Sequence, residues 1–152
     1  MVLLGLLAVA GCGFAPVHSA NNSLRGRIGF ETPNSVSGFR LRSQLEQRLG
    51  RSENPNYTVQ VTVNTSQQTA AITSTRESVR FNLRGTADWT LTDAATGDRI
   101  DRGSVQSFTC YSATGSTVAT QAASDDARER LMVILADMIA TRLLAQQHEP
   151  SS

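Results

Sequence analysis

The feature that most constrains the fold is a strict two-residue alternation along residues 79–91. Val79, Phe81, Leu83, Ala87, Trp89 and Leu91 share one parity, while Arg80, Asn82, Arg84, Thr86, Asp88 and Thr90 share the other. Successive side chains of a strand point to opposite sides. The segment therefore predicts a long strand with one apolar and one polar face. Residues 57–64 repeat the pattern, with Tyr57, Val59, Val61 and Val63 alternating with Thr58, Gln60, Thr62 and Asn64. A further strand is expected over residues 99–112, after a hairpin loop at 92–98 that holds Gly97. Its parity is mixed. Ile100, Phe108 and Cys110 agree while Val105 and Tyr111 do not, which predicts a bulge.

Two helices frame these strands. Residues 24–30 read as a first strand, and Thr32, Pro33, Asn34 and Ser35 as a turn. Residues 37–49 follow as a helix with Phe39, Leu41, Leu45 and Leu49 on its apolar stripe and Gly50 as its C-terminal cap. Residues 113–123, rich in Thr, Ser, Gly and Ala, predict a loop. Ser124 is then the N-cap of the longest helix, with Asp125, Asp126 and Glu129 in its first turns and Ala127, Leu131, Ile134, Leu135, Met138 and Leu143 at helical spacing. The order strand, helix, three strands, helix predicts an α+β fold. It is a two-layer sandwich in which a four-stranded, mostly antiparallel sheet carries two helices packed on one face.

The N-terminus sets the compartment. Apolar residues 2–10 run into Gly11 and Cys12, with Val9, Ala10 and Gly11 before the cysteine as in a lipobox. The apolar run is about half of a membrane span and suits the h-region of a cleaved signal. No charged residue precedes Cys12, so the expected basic n-region would lie upstream of Met1. The chain is thus expected to divide into a lipoprotein signal peptide (residues 1–11), a lipidated tether (12–23), one folded domain (24–145) and a disordered tail (146–152). Cys12 is the expected lipidation site and the membrane anchor. Several acyl chains on one cysteine hold where a single chain binds only marginally. Gly13, in place of aspartate, favours sorting to the outer membrane on its periplasmic side. Cys110, the other cysteine, has no intramolecular partner once Cys12 is lipidated and is expected to be buried.

Acid–base and metal chemistry find little support. The two histidines, His18 and His148, lie in the tether and the tail. The acids fall mostly in loops or at helix starts. There is no cysteine–histidine metal spacing, phosphate-binding glycine loop or nucleophile elbow. The protein is not expected to be an enzyme, and no cofactor, metal or nucleic-acid partner is expected. All fourteen basic residues are arginine, which fits either a GC-rich genome or phosphate recognition by the guanidinium fork. Arg80 and Arg84, with Arg76 if the strand starts early, form a row about 13 Å apart on the polar parity. Arg99 and Arg102 on the next strand extend it. Such a row is either a solvated face that resists aggregation or a site for an anionic, phosphorylated ligand. A second group, Arg40, Arg42, Arg48 and Arg51, flanks the first helix with only Glu46 against it.

Taken together, these residues resemble the lipopolysaccharide-assembly lipoprotein family LptE. The start Cys12-Gly13-Phe14-Ala15-Pro16-Val17 is similar to its lipidated Cys-Gly-Phe-x-Pro-Leu. Leu24-Arg25-Gly26-Arg27-Ile28 followed by a helix, Thr75-Arg76 before a Phe-x-Leu strand, and Leu135-Ala136-Asp137-Met138-Ile139 in the closing helix match in the same order. The resemblance implies a lipoprotein that plugs and helps assemble the outer-membrane β-barrel LptD. It also implies binding of lipopolysaccharide for insertion into the outer leaflet, with Arg76, Arg80 and Arg84 as the phosphate contacts. Two other readings remain open: an accessory lipoprotein of another envelope lipid-transport complex, and a structural lipoprotein without a ligand.

Overall fold

The computed structural model describes residues 24–72, 78–114 and 116–145. The lipidation site Cys12, the signal, the tether, Arg76 and the tail lie outside them. In chain order the elements are β1 (Ile28–Glu31), α1 (Val36–Leu49), β2 (Tyr57–Ile72), β3 (Ser78–Asp93), β4 (Arg99–Thr114) and α2 (Thr117–Ala145). The sheet order is β1-β2-β3-β4. β1 runs parallel to the start of β2, and the other pairs are antiparallel. This is the expected α+β architecture, with one parallel pair at the β1 edge.

The first helix is specified at both ends. Ser35 is extended, and its hydroxyl accepts the Gly38 N–H at 3.0 Å. Gly50 closes the helix at φ 86°, its N–H donating to the Glu46 carbonyl at 2.8 Å. Gly38, Leu41, Leu45 and Leu49 form the buried stripe. Phe39, expected on that stripe, is instead 74% exposed. Gly38 takes the inward place because the helix start lies tight against the Pro33 carbonyl, which a Cβ would strike. The next residue is then turned about 100° away.

The two helices run side by side in the same direction. Arg40 of α1 meets Glu129 of α2, and Arg48 meets Asp137 one further step along both helices. α2 lies over β4 and β3, while α1 covers β1. At Gly85 the α2 leucines come so close that a Cβ would sit 2.9 Å from Leu131 Cδ2 and 3.1 Å from Leu135 Cδ1. Leu131, Met132, Leu135, Ile139 and Leu143 are fully buried against Val59, Leu83, Trp89 and the α1 leucines.

Two element boundaries and the parity of one strand differ from the sequence expectation. β2 continues to Ile72 rather than stopping near 64. Its 16 residues span about 50 Å, whereas the 14 residues of α1 span about 21 Å. The distal part of β2 is therefore uncovered, and residues 64–70 are exposed on both faces. No apolar alternation is needed there. In β4 one parity holds from Asp101 onward, with Val105, Thr109 and Tyr111 inward and Phe108 and Cys110 outward. The register shift falls instead opposite Leu91 and Thr92, beside Ile100. Finally, α2 begins at Thr117, and Ser124 is a buried residue inside it, not its cap. Ala119, Ala122 and Ala123 favour helix, and Ser124, Ala127 and Leu131 continue one buried stripe onto the sheet.

Candidate functional site

The sheet has one covered and one open face. On the covered side Leu83, Gly85, Ala87, Trp89 and Leu91 of β3 face Thr109, Ser107, Val105, Gly103 and Asp101 of β4. The alternate residues form the open side. Across β2, β3 and β4 its rows read Thr62–Asp88–Ser104, Asn64–Thr86–Gln106, Ser66–Arg84–Phe108 and Gln68–Asn82–Cys110. Arg80 stands opposite Ser112 beyond a register shift in β2. Antiparallel sheets carry such a solvated face when helices pack on the other side.

Arg80 and Arg84 are both exposed on this face, as their parity predicts. Arg102 and Arg99 do not extend their row. They stand opposite Thr90 and Thr92, near the other end of the sheet and about 20 Å or more from Arg84. Cys110, expected to be buried, is exposed on the open side beside Asn82. The misreading came from grouping it with Phe108 as apolar and therefore inward, when both point outward. Phe108 is 64% exposed, and sequence reasoning did not assign it to the site. The clue was its disagreement in parity with Val105 and Tyr111.

The charge pairing separates two populations of arginine. Most of those in the helix layer are neutralised, Arg142 of α2 being the exception among the described residues. Arg40 pairs with Glu129 at 2.7 Å, and Arg42 and Arg51 pair with Glu46 at 2.8 and 3.3 Å. Arg128 and Arg130 pair with Asp125 and Asp126 at 3.0 and 3.1 Å. The expectation that only Glu46 opposes the α1 arginines is therefore corrected, since α2 supplies Glu129 and Asp137 from a distant part of the chain. Arg48 grips Asp137 with two donors, Nε to Oδ1 at 2.8 Å and Nη2 to Oδ2 at 2.7 Å. The Gln44 amide adds a third contact at 3.1 Å. The Arg48 hydrogen bonds hold the Asp137 carboxyl below its ordinary pKa against the desolvation that opposes them, with help from Gln44. By contrast, among the described residues neither Arg80 nor Arg84 has an ion pair or a side-chain hydrogen bond. The carboxylates on their face are Asp88, four residues from Arg84, and Glu31 on β1.

Other chemistry has little footing among the described residues. No group of three His, Cys, Asp or Glu side chains is placed to hold a metal ion. Asp93 is held below the ordinary carboxylate range by the Thr96 and Ala95 backbone N–H groups, which fix the β3–β4 turn. Two buried polar atoms, Trp89 Nε1 and Asp101 Oδ2, have no hydrogen-bond partner among the described residues. Among the described residues no helix is long and apolar enough to cross a membrane. What remains is an open polar sheet face that carries Arg80 and Arg84.

Comparisons with known proteins agree on the fold and the family. A protein from Caulobacter crescentus described as a lipoprotein is 25% identical, with a TM-score of 0.70 over 85% of this chain and 96% of that one. A minor lipoprotein from Acinetobacter baumannii is 19% identical, with a TM-score of 0.63 over 82% and 97%. Rare lipoprotein B from Shewanella oneidensis is 11% identical, with a TM-score of 0.60 over 79% and 95%. No curated protein is similar enough to count as a match. The family model of lipopolysaccharide-assembly proteins, LptE, matches residues 27–143, which run from the start of the sheet almost to the end of α2. The chain belongs to the LptE family, whose work is lipopolysaccharide assembly.

Proposed function

We propose that this protein is a lipoprotein anchored through Cys12 on the periplasmic side of the outer membrane, where it plugs and helps assemble the β-barrel LptD. In this reading Arg80 and Arg84 bind lipopolysaccharide phosphates and guide the molecule toward the outer leaflet. The supporting observation is the contrast in pairing: the helix-layer arginines named above as paired meet carboxylates, while among the described residues Arg80 and Arg84 meet none. A cation without an ion pair, whose near neighbours on the face are Asn, Gln, Ser and Thr, remains available to an anionic ligand. Charge-assisted hydrogen bonds to phosphate are about twice as strong as neutral ones. A flat polar face also suits a body held inside a wide barrel, whose lumen is polar. Arg76 is expected to join the same row.

The test has two arms. The tagged, lipidated protein is purified from detergent-solubilised outer membrane, and the co-purifying protein is identified by mass. A stoichiometric large β-barrel is expected; its absence, or inner-membrane transporter subunits in its place, would overturn the plug role. In the second arm, Arg80→Ser combined with Arg84→Ser is assayed for lipopolysaccharide binding. A loss of at least about tenfold is expected, since two charge-assisted contacts are removed. Unchanged binding by a folded variant removes these residues from the site.

A further inference from the structure

The open face carries one feature that a row of cations does not explain. Phe108 stands directly opposite Arg84 in the β3–β4 register and is 64% exposed. Side chains so placed have Cβ atoms about 5 Å apart, so ring and guanidinium share one spot. Isolated apolar side chains on surfaces are ordinary, but the others here have different settings. Val36 and Phe39 lie on the first turns of α1, Val118 on the first turn of α2, Ile134 on the outer side of α2, and Ile100 beside the β4 register shift. Phe108 alone among them projects from the middle of a strand, the edge strand β4, with polar residues before it, after it and across from it on β3 and β2. Ser66 and Arg84 share its row, Asn64, Thr86 and Gln106 lie on one side, and Gln68, Asn82 and Cys110 lie on the other.

We infer that the Arg84–Phe108 spot is a platform for a phosphorylated saccharide, the ring of Phe108 stacking on the sugar while Arg84 takes its phosphate. The inference rests on the phosphate-binding reading above and names which part of the ligand is held. An acyl chain needs a concave apolar site that removes most of its surface from water. A single ring on an open sheet, bordered by amides and hydroxyls, offers no such burial. A sugar is different. Its C–H groups, slightly positive, lie well on the negative face of an aromatic ring, and its hydroxyls need the donors and acceptors that Asn64, Ser66, Gln68, Asn82, Thr86 and Gln106 provide. Arg84 supplies the planar fork for the phosphate.

The experiment measures binding of two probes to the lipid-free protein: intact lipopolysaccharide, and a fully deacylated, bisphosphorylated glucosamine disaccharide. The disaccharide is expected to bind, and Phe108→Ser to weaken it about three- to tenfold, the worth of one aromatic contact. Phe108→Tyr, which keeps the ring, is expected to retain binding. Phe108→Leu, which keeps the apolar character but not the ring, is expected to behave like the serine variant. Full binding by Phe108→Leu would overturn the stacking role. So would a disaccharide that fails to bind while intact lipopolysaccharide binds through Arg80 and Arg84, because the acyl chains would then carry the apolar contact. If the double arginine variant binds both probes normally, the phosphate reading itself fails, and the two failures are thereby told apart.

Discussion

Gly103 offers the sharpest test of how the sheet core is packed. It faces Trp89 across the β3–β4 register. A Cβ there would lie 2.7 Å from Trp89 Cζ2, 2.8 Å from Cε2 and 3.0 Å from Nε1. These are rigid ring atoms, and Trp89 is buried, so the indole cannot swing into solvent to make room. Overpacking a tight core by one methyl costs about 1–3 kcal/mol, and a strand gains less than about 1 kcal/mol from losing a glycine. For a domain of about 120 residues the unfolding entropy converts about 1–3 kcal/mol into a Tm decrease of about 4–12 °C. Gly103→Ala is therefore expected to lower Tm within that range, read by far-UV circular dichroism because Trp89 is the only tryptophan. The cause is isolated by repeating the change in a Trp89→Phe background, whose smaller ring does not reach the position of Cζ2. Contacting residues are not additive, so the cost of Gly103→Ala is expected to fall by at least about 1 kcal/mol there. An equal cost in both backgrounds would refute the steric explanation.

Two further outcomes follow from the helix layer. Asp137 has its pKa lowered in the folded protein, so folding favours its ionised form. Its contribution to stability is complete above the ordinary carboxylate value of about 4 and is lost as pH falls through the lowered folded value. The stability advantage of the wild type over Asp137→Asn should therefore shrink on acidification in denaturant titrations; a constant difference would contradict the Arg48–Asp137 linkage. Thr109→Val removes the hydroxyl that donates to the Ala127 carbonyl at 2.9 Å. It is expected to cost about 1 kcal/mol in chemical denaturation, and no loss would mean that the bond does not hold α2 to β4.

The legible part of the fold was the part where burial imposed a period. β3, covered by α2 along its middle, shows its alternation plainly, and the leucine stripes of α1 and α2 are equally clear. The distal half of β2 was not legible, because no helix covers it and either face accepts polar residues. The start of α2 was missed because Thr117, Thr120 and Ser124 carry a loop composition, while stacking on β4 decides the conformation. The arginine row on β3 followed from parity alone. That it is unpaired did not, since Glu129 and Asp137 neutralise the α1 arginines only after α1 and α2 come together. Phe108 was hidden because an apolar residue on a strand is assigned inward by default.

The seam between the parallel helices also bears on how the chain folds. β2, β3 and β4 are successive antiparallel strands, so each hairpin can zip from its own turn with short loops to close. The α1–α2 seam is the opposite case, with Gln44 and Arg48 meeting Asp137 across separations of 93 and 89 residues. Loop closure of that length adds entropy that must be met before the contact repays it. During synthesis α1 emerges early with only β1 of its final partners made, and α2, which covers most of its leucine stripe, comes last. The meander is thus expected to form first and α1 to dock last, leaving a window in which Leu41, Leu45 and Leu49 need protection by a holdase chaperone.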